Sequence, residues 1–341
     1  MRALVLAGGF AKRMGALGEY APKAAFPVGD ISLMEHITGK LEKLGIEPVI
    51  TTNRKFARFF SHYRNVIVED ATQEKEKLGA VSAINNAVKS IGTDDDLLVI
   101  CADNYFSSDL NDFVYAYDGT VTVGIYYAGG NADMKPEEMA TAKFDGCDRH
   151  PLFLPHWKFR IIEFKEKVNP PLSRYVSTGI YILPRRVLPM LDEFCGGAKR
   201  DAPGFFIQHL FDRGEPVTGH LFGGEWFDLS HKAYIRTFSN AELETRNDSH
   251  IVLVKDLEDA RTRLVAVHPN AHTVLDVQGV CIFIGGTGEI NVEEGKVIPV
   301  RSGNVVTDLP CWYLVRNTSR YSELLFMIVS EKRGDTYEQV R

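Results

Sequence analysis

Short apolar runs alternate with helical patterns through the first hundred residues, and that alternation leaves few folds open. Residues 3–7, Ala-Leu-Val-Leu-Ala, form an aliphatic run that stops at Gly8 and Gly9, the pattern of a buried strand entering a loop. Leu33, Ile37, Leu41 and Leu44 then recur at helical spacing, with Gly45 where a C-cap belongs. Residues 48–52 predict a second strand and 65–69 a third. A helix is predicted over 79–91, carrying Val81, Ile84 and Val88, and a continuous apolar strand over 96–101, ending at Ala102 and Asp103. Strand and helix exchanged at this tempo predict a doubly wound α/β sheet of parallel strands. Ligands of such sheets bind beyond the carboxyl ends of the strands, where Gly8, Gly9 and Asp103 fall.

The texture changes after residue 118. Residues 120–127, 159–164, 177–183 and 217–221 predict further strands, and 228–244 a helix. From about residue 250 the chain reads as β: 251–254, 263–267, 280–284, 288–292, 297–301, 312–316 and 324–329, punctuated by glycine-rich turns. That rhythm belongs to a sandwich or barrel. The polar, linker-like stretch around 244–248 places a boundary near 245, giving domains 1–245 and 246–341. A chain of 341 residues has room for two. With 45% hydrophobic and 25% charged residues, a disordered tail, a collagen and a disulfide miniprotein are excluded.

A formal charge of −6, from 39 basic and 45 acidic residues, does not suit wholesale binding of a nucleic-acid backbone. It leaves room for a local basic pocket that takes a small phosphorylated ligand. Cys101, Cys147, Cys195, Cys281 and Cys311 are scattered without a CxxC pair, which fits a reducing compartment rather than a disulfide framework or a thiolate zinc site. No signal-peptide pattern opens the sequence, and no run of 18 apolar residues predicts a membrane span. A cytoplasmic protein is expected.

The stretch Leu6-Ala-Gly-Gly-Phe-Ala-Lys-Arg-Met-Gly15 carries the most chemistry. Glycines directly after a strand let backbone amides approach an anion closely, and Lys12 and Arg13 follow with charge. The pattern fits neither the Walker loop nor the dinucleotide fingerprint, and Gly8-Gly9 read alone is equally a tight turn. Ten residues on, Ala21-Pro-Lys-Ala-Ala-Phe-Pro-Val28 presents Lys23 from a stiff segment.

Together these two stretches resemble the opening signature of the sugar-1-phosphate nucleotidyltransferases. Three later sites, in the same order, support the resemblance over about residues 1–240. Cys101-Ala-Asp-Asn104 resembles the family's Gly-Asp-Asn metal motif. Phe164-Lys-Glu-Lys167 with Thr178-Gly-Ile-Tyr181 resembles its Glu-Lys-Pro … Thr-Gly-(Ile/Leu)-Tyr segment, and Glu225-Trp-Phe-Asp228 resembles its Trp-x-Asp motif. The resemblance implies a Rossmann-like, doubly wound domain with a mixed sheet. It also implies a reaction in which a sugar-1-phosphate oxygen attacks the α-phosphorus of a nucleoside triphosphate and pyrophosphate leaves. It implies that Arg13 holds the triphosphate, that Lys23 sits by the reacting phosphates, and that Asp103 and Asp228 bind Mg²⁺. The backbone of Leu6, Ala7, Gly8 and Gly9 would contact nucleoside and phosphates, and Gly79 would close over the base. Lys167 would bind the sugar phosphate, Glu166 the sugar hydroxyls, and Thr178 and Gly179 would line the sugar pocket. Without the resemblance, Asp103 and Asp228 would read as turn or helix-cap aspartates.

Ala11-Lys12 stands where the family places a glycine-threonine pair before its arginine, Ala102 replaces a glycine, Val168 a proline, and Leu229-Ser-His the usual threonine-glycine. With a longer apolar, basic loop over 146–160 and Ala140-Thr141 where the family shows a tyrosine-glycine, the departures fall mainly on the sugar side. The step of eleven positions from Lys167 to Thr178 matches the thymidylyltransferase spacing, so dTTP or UTP is the expected donor. Guanylyl transfer to mannose-1-phosphate is the alternative within the reaction, and a catalytically weak sugar-nucleotide sensor is the alternative outside it. The C-terminal segment resembles a cupin through Gly285-Gly-Thr-Gly288, Glu294-Gly295, Pro310 and Asn317. Its only nearby metal candidates are His268, His272 and Asp276, with Leu314 where a motif histidine belongs. A metal-free cupin is expected, with both histidines as ordinary loop residues; the protein is expected to be a homo-oligomer, for which a dimer through this domain is one form.

Overall fold

The β-branched run Leu97–Cys101 lies in the middle of a sheet, and its neighbours explain why it tolerates no polar residue. In the computed structural model it pairs in parallel with Arg2–Leu6 on one side and antiparallel with Tyr175–Leu183 on the other. Leu97, Leu98, Val99 and Ile100 are fully buried. The structure describes residues 1–92, 94–129, 134–154, 157–196, 201–229, 241–247, 249–257, 260–275, 279–292, 295–307, 309–310 and 313–331. Contacts divide the chain into two compact units: residues 1–10 with 37–231, and residues 11–36 with 232–341.

In the first unit the main sheet runs in the order Lys158–Arg160, Val217–Leu221, Val121–Tyr127, Tyr175–Leu183, Leu97–Cys101, Arg2–Leu6, Pro48–Asn53, Val66–Glu69. The last four strands are mutually parallel, as the βα alternation predicts. Tyr175–Leu183 runs against both of its neighbours, which makes the sheet mixed. Ala140–Lys143 and Glu163–Glu166 form an antiparallel side ribbon. The helix Ala80–Ile91 buries Val81, Ile84 and Ala87, a stripe at helical spacing. These side chains share one core with Leu4, Leu97, Val99 and Val123 of the sheet and with Phe206 and Leu210 of the helix Pro203–Asp212. Gly92 ends the first of these helices at φ 54, its N–H on the Val88 carbonyl, as a left-handed C-cap requires.

The second unit carries two antiparallel sheets. One runs Glu242–Arg246, His250–Asp256, Ala260–Val267, Leu324–Glu331, Val280–Gly285, Val305–Val306; the other His272–Leu275, Tyr313–Asn317, Thr287–Asn291, Val297–Arg301. Along Val280–Gly285 burial alternates residue by residue, the signature of a strand with one face on a core. Val265, Cys281, Phe283 and Phe326 of the first sheet share that core with Ile290, Val300, Tyr313 and Val315 of the second. The Phe283 and Phe326 rings stack at 5.0 Å. Each such buried ring stabilises the fold by about 1.5–3 kcal/mol relative to exposure.

Residues 11–36 belong to this second unit. They comprise a turn at Lys12–Met14, the short helix Ala16–Tyr20, a turn at Lys23–Ala25 and a ribbon of Pro27–Val28 with Ile31–Ser32. Met14, Leu17, Tyr20 and Phe26 are buried.

Three readings change. Residues 159–164 are not one strand: Lys158–Arg160 and Glu163–Glu166 lie in different ladders, because the apolar pair Ile161-Ile162 makes the crossing. Of the helix expected over 228–244, Asp228 instead ends the strand Trp226–Asp228 and residues 242–244 lie in the strand Glu242–Arg246. Cross-strand partners outweigh the helical pattern there, and residues 230–240 lie outside the described residues. His272 opens a strand. His268 is no ordinary loop residue, being 14% exposed and ion-paired in geometry with the buried Glu323 at 3.3 Å. Asp276 is outside the described residues.

Candidate active site

At the end of Arg2–Leu6 the backbone is held on both sides. The Ala102 N–H donates to the Leu6 carbonyl at 3.0 Å, and the Ala7 N–H to the Thr51 carbonyl at 2.8 Å. Beyond them the Gly8 carbonyl accepts from Asn53 Nδ2 at 3.0 Å. Neither Gly8 nor Gly9 has a positive φ. A methyl at Gly9 would meet nothing within 4 Å, and one at Gly8 only the Glu69 carboxylate at 3.8 Å. The fold itself therefore does not require these two glycines. Without side chains, their backbone is left open to close approach. Glu69 also accepts from the Leu78 N–H, so one carboxylate, which sequence reading missed, touches both the Gly8 loop and the approach to Gly79. Burial raises the Glu69 carboxyl above its ordinary range, against the opposing Leu78 N–H and Lys77. Gly79 caps the helix Ala80–Ile91 at φ 90, a conformation that only glycine adopts without strain.

The two aspartates meet through a ribbon. Asn104–Phe106 pairs antiparallel with Trp226–Asp228, setting Asp228 opposite Asn104. The Leu229 N–H donates to the Asp103 carbonyl at 2.9 Å, and Asn104 Nδ2 donates to Asp103 Oδ1 at 2.8 Å. Residues 125 positions apart in sequence are thus brought together, Asp103 in the turn before Asn104–Phe106 and Asp228 at the end of the strand paired with it. Among the described residues no group of three or more histidine, cysteine or acidic side chains is arranged to hold a metal. Two carboxylates are nevertheless the kind of hard oxygen donors that Mg²⁺ takes from a protein when phosphates and water complete its shell.

Tyr175–Leu183 passes against the same corner. It bulges between Ser177 and Tyr181, and Gly179 sits in the bulge at φ 76. A methyl there would lie 3.0 Å from Asn104 Nδ2 and 3.1 Å from Cys101 Cβ. Here glycine is required both by conformation and by space. Thr178 is fully buried. Its hydroxyl donates to the Gly124 carbonyl at 3.0 Å, and its carbonyl accepts from Trp226 Nε1 at 3.2 Å. Thr178 therefore fixes the bulge, while the Trp226 indole ties the bulge to the strand that carries Asp228.

Glu166 ends the side ribbon. Its N–H donates to Gln208 Oε1 at 3.1 Å, and its carboxyl lies against Gly204 in the first turn of the helix Pro203–Asp212, where a methyl would come within 1.8 Å of Oε2. Burial pushes the Glu166 carboxyl up to about 7, opposed by the neighbouring Lys167. Lys167 has φ 52 and donates its N–H to the Met139 carbonyl at 3.0 Å. A left-handed lysine costs about 1 kcal/mol or more. Tyr181, fully buried, has its phenol raised well above its ordinary value, by burial first and then by Cys101, Glu166 and Asp103. One electrostatic neighbourhood thus contains residues of three separate motifs.

Arg13 and Lys23 fall in the second unit. Arg13 lies in the turn Lys12–Met14 and is exposed, and Lys23 opens the turn Lys23–Ala25 half-buried. Ala11, where the family signature is broken, adopts the left-handed conformation at φ 52. Gly18 is pressed against it, since a methyl at Gly18 would lie 2.2 Å from the Ala11 carbonyl oxygen. The strain of this turn thus falls on Ala11, with the small Gly18 opposite it.

The nucleotidyl transferase family model matches residues 2–244. A provisionally named mannose-1-phosphate guanyltransferase of Sulfolobus acidocaldarius is 25% identical over 251 residues, covering 71% of this chain and 63% of that protein. The bifunctional protein GlmU of Methanocaldococcus jannaschii is 23% identical over 263 residues, covering 74% of this chain and 59% of that protein. The matched stretches thus span about three fifths of those two relatives. A UDP-glucose pyrophosphorylase complexed with UDP-glucose shares the fold with a TM-score of 0.54 at 18% identity, over 70% of this chain and 97% of that one. With a match running through both glycines, both aspartates and the Glu166–Gly179 segment, the chain belongs to the nucleotidyl transferase family.

Proposed function

We propose that this protein transfers a nucleotidyl group from a nucleoside triphosphate to a sugar-1-phosphate, releasing a nucleoside-diphosphate sugar and pyrophosphate. The observation that carries the reading is the convergence, in one unit, of bare backbone at Gly8-Gly9, paired carboxylates at Asp103 and Asp228, and the Gly179 bulge packed on Asn104. A sugar-phosphate oxygen forms the new bond to the α-phosphorus, and the bond to the bridging oxygen of pyrophosphate breaks. No electron is transferred. Two polyanions must meet, so the barrier is mostly repulsion and positioning.

The chain supplies for this the amides of residues 6–9 for the phosphates, Arg13 for the triphosphate, and Lys23 for charge that develops in the transition state. Lys167 serves the sugar phosphate and Glu166 the sugar hydroxyls. At neutral pH Glu166 exchanges its proton readily, so it donates to or accepts from a hydroxyl as the sugar demands. Asp103 and Asp228 would hold Mg²⁺, which supplies charge neutralisation on the phosphates. The Lys167–Thr178 spacing favours dTTP or UTP as donor. Relatives named for guanylyl transfer support GTP with mannose-1-phosphate as the second reading. No helix among the described residues is long and apolar enough to cross a membrane. The facing antiparallel sheets of the second unit support a cupin-like module.

Pyrophosphate release measured across dTTP, UTP, GTP and ATP, each with glucose-, mannose- and N-acetylglucosamine-1-phosphate, tests the reading. Turnover with one pair names base and sugar. Thermal stabilisation by a nucleotide sugar without any turnover would replace the enzyme by a sensor.

A further inference from the structure

The ribbon that brings Asp103 and Asp228 together is short. Asn104–Phe106 and Trp226–Asp228 are three residues each, and a two-stranded ribbon of that size is marginal by itself. Beyond it, Ser107 carries the pairing one step further. The Ser107 N–H donates to the Glu225 carbonyl at 2.9 Å, and Ser107 Oγ accepts from the Glu225 N–H at 2.8 Å. Ser108 Oγ donates to the Gly223 carbonyl at 2.5 Å. Gly224, between these two partners, has φ 68, and a methyl there would come within 2.3 Å of Ser107 Oγ.

Lys40 reaches the same turn. It lies in the part of the helix Leu33–Lys43 that belongs to the first unit, and its side chain is 9% exposed. Its Nζ donates to the Ser107 carbonyl at 2.9 Å and to Asp109 Oδ1 at 3.4 Å. It also stands 5.5 Å from the centre of the Phe106 ring, within cation–π range. An ammonium withdrawn from water is costly, and an apolar side chain of like size would fill the position without that cost. What the lysine adds is a donor that reaches from the helix to the turn and holds the Ser107 carbonyl and Asp109 at once. Neither Lys40 nor Ser107 belongs to a motif read from the sequence. We infer that Lys40 and Ser107 are positioning residues for the Asp103–Asp228 pair. Lys40 fixes the Ser107 turn to the helix, Ser107 fixes Glu225 opposite it, and the ribbon then carries both carboxylates at one spacing for a divalent cation. The inference rests on the metal role that the nucleotidyl-transfer reading gives these carboxylates, and all of its residues lie within the first unit.

The test uses the full chain and two readouts. One is binding of Mn²⁺ alone, followed by loss of the free ion's paramagnetic resonance signal. The other is the Mg²⁺ dependence of pyrophosphate release from UTP or dTTP with glucose-1-phosphate. Lys40→Met keeps the length and removes the donor, and Ser107→Ala removes the acceptor for the Glu225 N–H from an exposed turn. The backbone pairs remain in both, so the site loosens without vanishing. Each variant is expected to weaken Mn²⁺ binding by about 5- to 10-fold, the low end for residues that stand behind a metal ligand. The half-saturating Mg²⁺ concentration should rise by a similar factor, with KM for the sugar phosphate at saturating Mg²⁺ unchanged. Lys43→Met is the control, since exposed Lys43 also meets Asp109 at 3.3 Å, and it should leave Mn²⁺ binding unchanged. Parent-like Mn²⁺ binding in folded Lys40→Met and Ser107→Ala would overturn the positioning role, and so would an equal loss in Lys43→Met, which would reduce it to surface charge. If Lys40→Met folds poorly, Ser107→Ala decides alone. Absence of turnover in the unmodified chain would overturn the reaction, and the Mn²⁺ comparison would still decide the positioning role. A parent that binds no Mn²⁺, or no more than Asp103→Asn does, would overturn the metal assignment and the positioning role with it.

Discussion

The two units hold their functional residues by different physics. In the first, Gly8, Asp103, Gly179 and Asp228 are placed by backbone ladders, with Cys101 paired to Leu6 and Asp228 set opposite Asn104. A ladder is redundant, because losing one side chain leaves its neighbours registered. In the second, the segment carrying Arg13 and Lys23 is tied down by side chains, Tyr20 to His268 and Glu323, and Ser32 to Ser322. Such a cluster depends on each member. The difference teaches where mutation should abolish chemistry without moving structure, and where it should move structure first.

The largest effect belongs to the ladder-held pair. Asp103→Asn is nearly isosteric and leaves the Asp103 carbonyl on the Leu229 N–H, so circular dichroism and melting should match the parent. On the proposed chemistry kcat falls by about 10³-fold or more. Full activity in a folded Asp103→Asn protein would remove this carboxylate from the site. Lys23→Ala comes next, with a loss of about 10²–10³-fold in kcat, the size seen when one transition-state donor is removed. Its companion is Lys75→Ala, a lysine that no motif singles out, which should be neutral. Equal losses for both would mean that Lys23 acts only through general surface charge.

Much of the first unit was legible because its signals are local. The strands around 3–7, 48–52 and 96–101 and the helices at 33–44 and 79–91 announce themselves through period and punctuation, and each is observed within a residue or two. The motif residues were legible by resemblance, as was their order. What could not be read was anything set by distant partners. Residues 242–244 pattern as a helix and pair as a strand, since the ladder with His250–Asp256 lies outside any local window. Glu69 offers no motif, and only the fold brings it to Gly8 and Leu78. His268 looked ordinary because its partners, Tyr20 and Glu323, are 248 and 55 residues away. The chain's division after Phe10 has no sequence mark at all, because the signature loop reads as one piece.

A pair of glycines sharpens the contrast inside the first unit. Gly179→Ala forces a side chain into a left-handed bulge and against Asn104 and Cys101, which should cost about 1–3 kcal/mol of stability and about 10-fold in activity. Gly9→Ala meets open space and should leave the melting temperature within about 1 °C, since nothing in the fold resists it, while raising KM for the triphosphate. If Gly9→Ala destabilises as much as Gly179→Ala, the bare backbone at Gly9 is a folding requirement and the ligand argument for it falls.

The smallest effect is one of pH, and it concerns a single carboxyl. Burial raises Glu166 from 4.5 to about 7 in the folded state. Between those values the folded protein keeps a proton that the unfolded chain has lost. Stability therefore falls as pH rises through this window, by about 3 kcal/mol at most. Glu166→Gln carries no such proton, so its melting temperature should decline less between pH 5 and 7.5, leaving the weaker slope that Glu69, raised in the same direction, contributes. Tyr20→Phe, a change in the other unit, should keep the parent slope. Identical pH profiles for parent and Glu166→Gln would mean that water reaches the carboxyl beside Gly204, and the sugar-side pocket would then be wetter than its packing implies.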